Sequence, residues 1–236
     1  MRSILLTSLT AAALLAGCSE NKPAPVAVDP PTPTPTATPK KVFPKLPVQG
    51  KPLPVKLTKA GRPLLQSDGI DYVPSLNESR SITAQVIAAL RKRTEYLAGY
   101  KAKSSGRCEG GRVKMAADAN TLCTVTYQGV KVEWVVSISH DYKPDSSLAE
   151  YEMYPIDAAL LAEAVYSAYW KQYHEDGAEL RCGKIPEISV VRHNEPTPYR
   201  CQQFDPQDNT VDPPRPPRWL NYVVSIGDYG VTFDPT

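Results

Sequence analysis

Residues 107–138 read RCEGGRVKMAADANTLCTVTYQGVKVEWVVSI, and the alternation in their second half decides the fold class. Cys123, Val125 and Tyr127 alternate with Thr124 and Thr126, which gives a strand one apolar and one polar face. Gln128-Gly129 is a turn signal. Beyond it Val130, Val132, Trp134, Val136 and Ile138 share one face, and Lys131, Glu133, Ser137 and Ser139 share the other. The pattern predicts an antiparallel hairpin with one buried face, which needs a covering layer. The preceding stretch ITAQVIAALRKRTEYLAGY supplies one. In it Ile82, Val86, Leu90 and Leu97 recur at helical spacing, while Arg91, Lys92 and Glu95 face outward. Asn77, Ser79 and Ser81 are candidate caps and Gly99 a stop.

The same order returns later in the chain. Asp157 is placed to cap IDAALLAEAVYSAYWKQYHEDG, with Leu161, Val165, Ala168 and Gln172 as its stripe and Gly177 as its end. Cys182, Cys201 and a second VVSI at Val223–Ile226 follow. Ile82 precedes Cys108 by the same separation that Ile156 precedes Cys182. Further strands are expected over 187–192, 199–204, 220–226 and 230–233. The expected fold is α+β: two tandem units of helix plus antiparallel sheet, spanning 71–141 and 142–236. Apart from Cys18, four cysteines remain, which allow three pairings. Repeat symmetry selects Cys108–Cys123 with Cys182–Cys201, one staple per unit.

The chain opens MRSILLTSLTAAALLAGC, with Arg2 ahead of an apolar run too short to span a bilayer. Leu15-Ala16-Gly17-Cys18 resembles the lipobox of bacterial lipoproteins. That resemblance implies a signal peptide over 1–17 and a diacylglycerol thioether on Cys18, with palmitate as a typical acyl group. It also implies an extracytoplasmic protein, anchored by lipid. Ser19 stands where an inner-membrane retention Asp would be, so a double-membraned cell would hold it on the outer membrane.

From Cys18 to about residue 70 the chain is rich in proline and carries no apolar period, which reads as a disordered tether. Its basic run, Lys40, Lys41, Lys45, Lys51, Lys56, Lys59 and Arg62, has no acidic residue between Asp29 and Asp68. A second proline-rich stretch, DPQDNTVDPPRPPR at 205–218, interrupts the later strands. It takes the place of the tight turn at Gln128-Gly129. Loops of this length inside small domains are often functional, so Asp205, Val211, Arg215, Arg218 and Trp219 are the candidate contact residues.

Helix, Cys, a gap near fifteen, Cys, a Tyr-x-Gly turn and a Val-rich strand together resemble a cysteine-paired domain of unknown function. That domain occurs in bacterial, notably actinobacterial, lipoproteins. Cys108, Cys123, Gly129, Val135 and Val136 carry the likeness in the first unit, and Cys182, Cys201, Val223 and Val224 in the second. The family often has proline after the first cysteine, where this chain has Glu109 and Gly183. The resemblance implies a helix-on-sheet fold outside the cytoplasm and no known activity.

Chemistry is sparse by comparison. The net charge of +2 gives no reason to expect a nucleic-acid partner. His140, His174 and His193 are isolated, with no metal-ligand spacing, and no Walker, GxGxxG or GxSxG motif occurs. Asp141, Asp145, Glu150 and Glu152 read as a solvated linker between units. No cofactor or metal is expected. The expected role is a non-enzymatic envelope lipoprotein that binds another envelope or extracellular protein. A protease inhibitor and a cell-wall enzyme are the alternatives.

Overall fold

The computed structural model describes residues 43–66, 81–144 and 150–236, and residues 43–236 form one unit. Its elements in chain order are β1 (Val55–Leu57), α1 (Ile82–Leu97), β2 (Ser104–Cys108), β3 (Asn120–Tyr127), β4 (Val130–Ile138) and β5 (Tyr151–Pro155). Then come β6 (Asp157–Leu161), α2 (Ala162–Tyr173), β7 (Leu180–Cys182), β8 (Ile188–Arg192), β9 (Pro196–Asp205), β10 (Arg218–Gly227) and β11 (Gly230–Pro235). The fold is α+β with antiparallel ladders throughout.

The predicted hairpin is β3–β4, and burial alternates along both strands as the sequence requires. It lies inside a four-stranded sheet of order β2-β3-β4-β5. Ser81 caps α1 by accepting from the Ala84 amide, and Gly99 ends it at φ +84°. Val86, Leu90 and Leu97 then face the sheet. Trp134 is fully buried beneath α1, and its indole N–H donates to Thr94 Oγ1 at 3.1 Å. Thr94 in turn donates to the Leu90 carbonyl, so the pair is satisfied within the core.

The second helix precedes a matching run of strands. Its sheet has the order β1-β7-β9-β10-β11. In the first sheet Cys108, Cys123, Trp134 and Pro155 stand opposite one another across β2 to β5. In the second, Cys182, Cys201, Tyr222 and Pro235 do the same across β7, β9, β10 and β11. Each disulfide, Cys108–Cys123 and Cys182–Cys201, therefore joins direct cross-strand partners. The echo WVVSI and YVVSI occupies equivalent places in register. Above the second sheet, Tyr169 and Tyr173 of α2 pack against Tyr222 and Phe233.

The buried residues of both sheets and both helices make one hydrophobic cluster. Ile156 links β5 to β6: its amide donates to the Glu133 carbonyl, and its own carbonyl accepts from His193 N. The strand pair β6–β8 thus continues from the first sheet toward the second.

Three local expectations change. Asp157 does not cap α2; it lies in β6, where its carboxylate accepts from Arg192. A short apolar run such as DAALL suits helix and strand equally, and pairing with β8 settles it as strand. Consequently α2 starts at Ala162 and buries Ala164, Val165, Ser167 and Tyr169, while Gln172 is exposed. The acidic stretch after Asp141 contributes Glu152 to β5 rather than serving wholly as linker, with Asp145 outside the described residues. Finally, residues 43–66, read as the end of a free tether, are docked along the fold, and β1 pairs with β7. Cys18 and the tether before residue 43 lie outside the described residues.

Replacing Thr94 by valine keeps its shape but leaves the buried Trp134 N–H without an acceptor. A loss of about 1–3 kcal/mol in unfolding free energy is expected, read by urea denaturation with tryptophan fluorescence.

Candidate functional site

Loop 205–218 connects β9 to β10 and is braced from within. Asp205 accepts from Arg218 Nε at 3.1 Å and lies 3.7 Å from Arg215 Nη2. Asp208 accepts from both the amide and the hydroxyl of Thr210 and pairs with Arg215 at 3.4 Å. The Thr210 hydrogen bonds and the Arg215 charge hold its carboxyl below the usual carboxylate range. Asp208 and Arg215 also exchange backbone hydrogen bonds. Trp219 packs on Phe204, and the Arg181 guanidinium stands 5.7 Å from the centre of its ring. Of the five candidate contact residues, Asp205, Arg215, Arg218 and Trp219 are thus engaged inside the molecule. Val211, 45% exposed, faces solvent.

The loop also holds the chain's own earlier segment. Gln207 accepts from the Leu46 amide at 2.8 Å and donates to the Pro44 carbonyl at 3.0 Å. Gln49 bonds the Pro217 carbonyl and the Trp219 amide through its own backbone. From there the segment crosses the second sheet toward β7. At the crossing, Gln202 accepts from the Leu53 amide at 2.7 Å and donates to the Lys51 carbonyl at 3.2 Å. Asn221 also accepts from Gln202, which fixes the amide's orientation. Arg181 donates to the Leu53 carbonyl at 3.0 Å. Lys56 and Arg181 share Glu179, whose carboxyl Arg181 and Lys56 pull below its ordinary range.

Prolines at 44, 47, 52 and 54 cannot donate to a ladder, so this segment cannot pair as a long strand. The glutamine amides take over where regular pairing fails. Further on, the strap reaches the two helices. Leu65 N donates to the Gly99 carbonyl, and Tyr100 OH donates to the Arg62 carbonyl and shares a hydrogen bond with Ser167. Gly61 passes so close to α2 that a Cβ there would lie 1.9 Å from Ser167 Oγ. A cleft of about 730 Å³ opens beside this crossing, lined by Lys59, Arg62, Lys101, Glu163, Tyr166 and Glu187 among others.

None of Gln202, Gln207 or Tyr100 was singled out from the sequence. The only signal was a weak one: Leu-Pro occurs at 46–47 and again at 53–54. Nothing local to the glutamines shows that they meet it.

All three histidines meet neighbours in the fold: His174 Nδ1 lies 2.8 Å from the Trp170 carbonyl and its ring stacks on that indole, and the other two stand beside aspartates. His140 Nδ1 lies 2.8 Å from Asp118 Oδ2, and that hydrogen bond raises its pKa. Its side chain is 82% exposed, beside a cleft of about 660 Å³ that includes Ser137, Ser139, Glu150 and Glu152. Solvent reaches both members of the pair, so the attraction is screened. His193 differs: its side chain is 6% exposed, at the turn joining β8 to β9. Asp228 Oδ1 stands 3.4 Å from Nε2 without hydrogen-bond alignment, so that nitrogen lacks a hydrogen-bond partner. Arg93 of α1 donates to the Asp228 carbonyl, and Tyr96 to that of Tyr229, so α1 grips the β10–β11 turn beside this histidine. Among the described residues no group of three or more His, Cys, Asp or Glu is placed to hold a metal, and no helix is long and apolar enough to cross a membrane.

No protein-family model, no curated protein and no solved structure matches this chain.

Two outcomes follow from this geometry. Gln202→Ala removes both hydrogen bonds to the strap and the one to Asn221, and about 1–3 kcal/mol of stability is expected to go with them. Hydrogen exchange at Leu53 N–H should speed up far more than in the β3–β4 hairpin. Burial lowers the pKa of His193 below its ordinary value despite the Asp228 charge. A lowered histidine contributes stability that is present above about pH 6.5 and lost as pH falls toward its folded pKa. Denaturant melts between pH 7.5 and 5 should therefore show falling stability, with a shallower fall in His193→Gln.

Proposed function

We propose that this protein is a lipid-anchored envelope lipoprotein of non-enzymatic type, which presents its folded part for binding another envelope or extracellular protein. Cys18 is the lipidation site in this reading, and two or three acyl chains make its anchoring stable. Two disulfides between cross-strand neighbours fit an oxidising, extracytoplasmic compartment. The docking of residues 43–66 takes them out of the proline-rich tether in this reading. The two halves are read as copies of one ancestral unit, supported by the shared strand order and the matching disulfide rows.

The observation that carries the binding surface is the joint made by Gln207. It ties the start of the strap to the braced loop, and each of these segments exposes a valine: Val48 at 50% and Val211 at 45%. Apolar groups held on a rigid, polar-rimmed loop are suited to a protein contact. The same bracing leaves residues 209–213 exposed, which favours a second reading as a protease inhibitor. Inhibition of a secreted protease by the purified protein, lost in Val211→Asp, would select that reading.

The main test places a photo-crosslinking amino acid at position 211 in intact envelopes, with Lys171 as control position. One protein captured at 211 and not at 171 is the expected result, and the Val48→Asp change should reduce it. Cys18→Ala should move the protein from the membrane to the soluble fraction. Capture of nothing at 211, with lipidation intact by mass spectrometry, would remove the binding role while leaving the anchor.

A further inference from the structure

We propose that the outer face and edge of the first sheet form a docking groove for an extended, proline-containing peptide of a partner protein, of the form Lys-Pro-Leu-Pro-Val. The second sheet shows how this fold takes such a segment. There Arg181, Gln202 and Asn221 stand opposite one another across β7, β9 and β10. They alternate with the inward Cys182, Cys201 and Tyr222, so their row lies on the outer face. Gln202 binds the Lys51 carbonyl and the Leu53 amide, Arg181 donates to the Leu53 carbonyl, and Asn221 accepts from Gln202. The segment Lys51-Pro52-Leu53-Pro54-Val55 then runs into β1 along the edge of β7.

Register places Arg107, Thr124 and Glu133 at the same three points of the first sheet. The match extends further: Ile156 N donates to the Glu133 carbonyl as Thr236 N donates to that of Asn221. What differs is the cover. The side chains of Arg107, Thr124 and Glu133 make no hydrogen bond or ion pair with another described residue. The second sheet has β1 as a fifth strand, whereas among the described residues the first ends at β2. A cleft of about 380 Å³ lies along this edge, lined by Ser105, Gly106, Arg107, Thr124, Thr126 and Lys131. In the next row Leu122 and Tyr154 are 39% and 52% exposed on either side of Val135. Each part of the groove suits one part of the peptide. Proline lacks an N–H, so the segment offers single carbonyls, and Arg107 stands where Arg181 meets one in the second sheet. Glu133 puts a carboxylate in the place of neutral Asn221, which favours a peptide lysine. The exposed row receives the apolar side chains, and the free side of β2 pairs with the residues after the last proline. The inference does not depend on lipid anchoring or on any partner at Val211.

The test uses full-length protein carrying Cys18→Ser and, as probe, the fluorescent peptide GKPLPVKLT, which has the sequence of residues 50–58. Saturable binding by anisotropy is expected, with amide NMR shifts along Ser104–Cys108 and at Thr124 rather than along β7. Arg107→Glu and Glu133→Lys should each weaken binding about tenfold, while Lys171→Glu leaves it unchanged. The amide spectrum of each variant also reports whether its fold is kept. A probe with alanine for both prolines should bind severalfold more weakly, because proline holds the free peptide extended. Absence of saturable binding, binding unaffected by both groove variants, or equal binding of the alanine probe overturns the proposal. So does a shift map centred on Leu180–Cys182, which would mean that the probe displaces the strap from the second sheet. Binding that emerges only after Pro23→Ala and Pro25→Ala overturns it too, since the chain's own Lys22-Pro23-Ala24-Pro25-Val26 would then be the occupant.

Discussion

An antiparallel sheet with one apolar face has to cover that face, and the rest of this structure follows from how the covering is done. Each main sheet receives one helix, and each places a cross-strand disulfide and then an aromatic residue on the covered side. In the first, Trp134 lies under α1 with its indole N–H bound to Thr94. In the second, Tyr222 meets Tyr169 and Tyr173 of α2. Because the two layers of cover share one cluster of buried residues, neither half has a core wholly its own. The strand pair β6–β8 and the grip of α1 on the β10–β11 turn are further consequences of that shared core.

The strap is the second organising device, and it rests on a different physics. A segment with proline at nearly every third position cannot form a long ladder, and its spare amides and carbonyls would otherwise depend on water. Two glutamine side chains, one arginine and a three-residue strand satisfy them one at a time. The same contacts explain why loop 205–218 is braced so heavily. Asp205 and Asp208 hold Arg215 and Arg218 in place, and that fixes the loop in which Gln207 stands. The loop therefore has an internal task in addition to any external one.

Periodicity made the central hairpin, the first helix with its Ser81 cap and Gly99 stop, and the later strands legible in advance. The cysteine pairing was legible through symmetry, since the echo of order left one pairing that treats both halves alike. Asp157 was misread because five residues with four apolar side chains carry no period that separates strand from helix. The end of the tether was misread for a related reason. Composition reports that a proline-rich stretch cannot build a core, and it is silent on whether another part of the chain offers it hydrogen bonds.

Sequence alone determined the alternation that makes a half-buried hairpin, the helical stripe that covers it, and the paired cysteines that staple each sheet. The first two are local properties, written within a few residues and fixed by backbone geometry, and the third follows from the repeated order of the two halves. Tertiary structure alone decided that Gln202 and Gln207 hold residues 44–53, that His193 is buried beside Asp228, and that β6 is a strand. Each of these brings together groups from distant parts of the chain, or depends on a partner strand, and no local pattern encodes such a meeting.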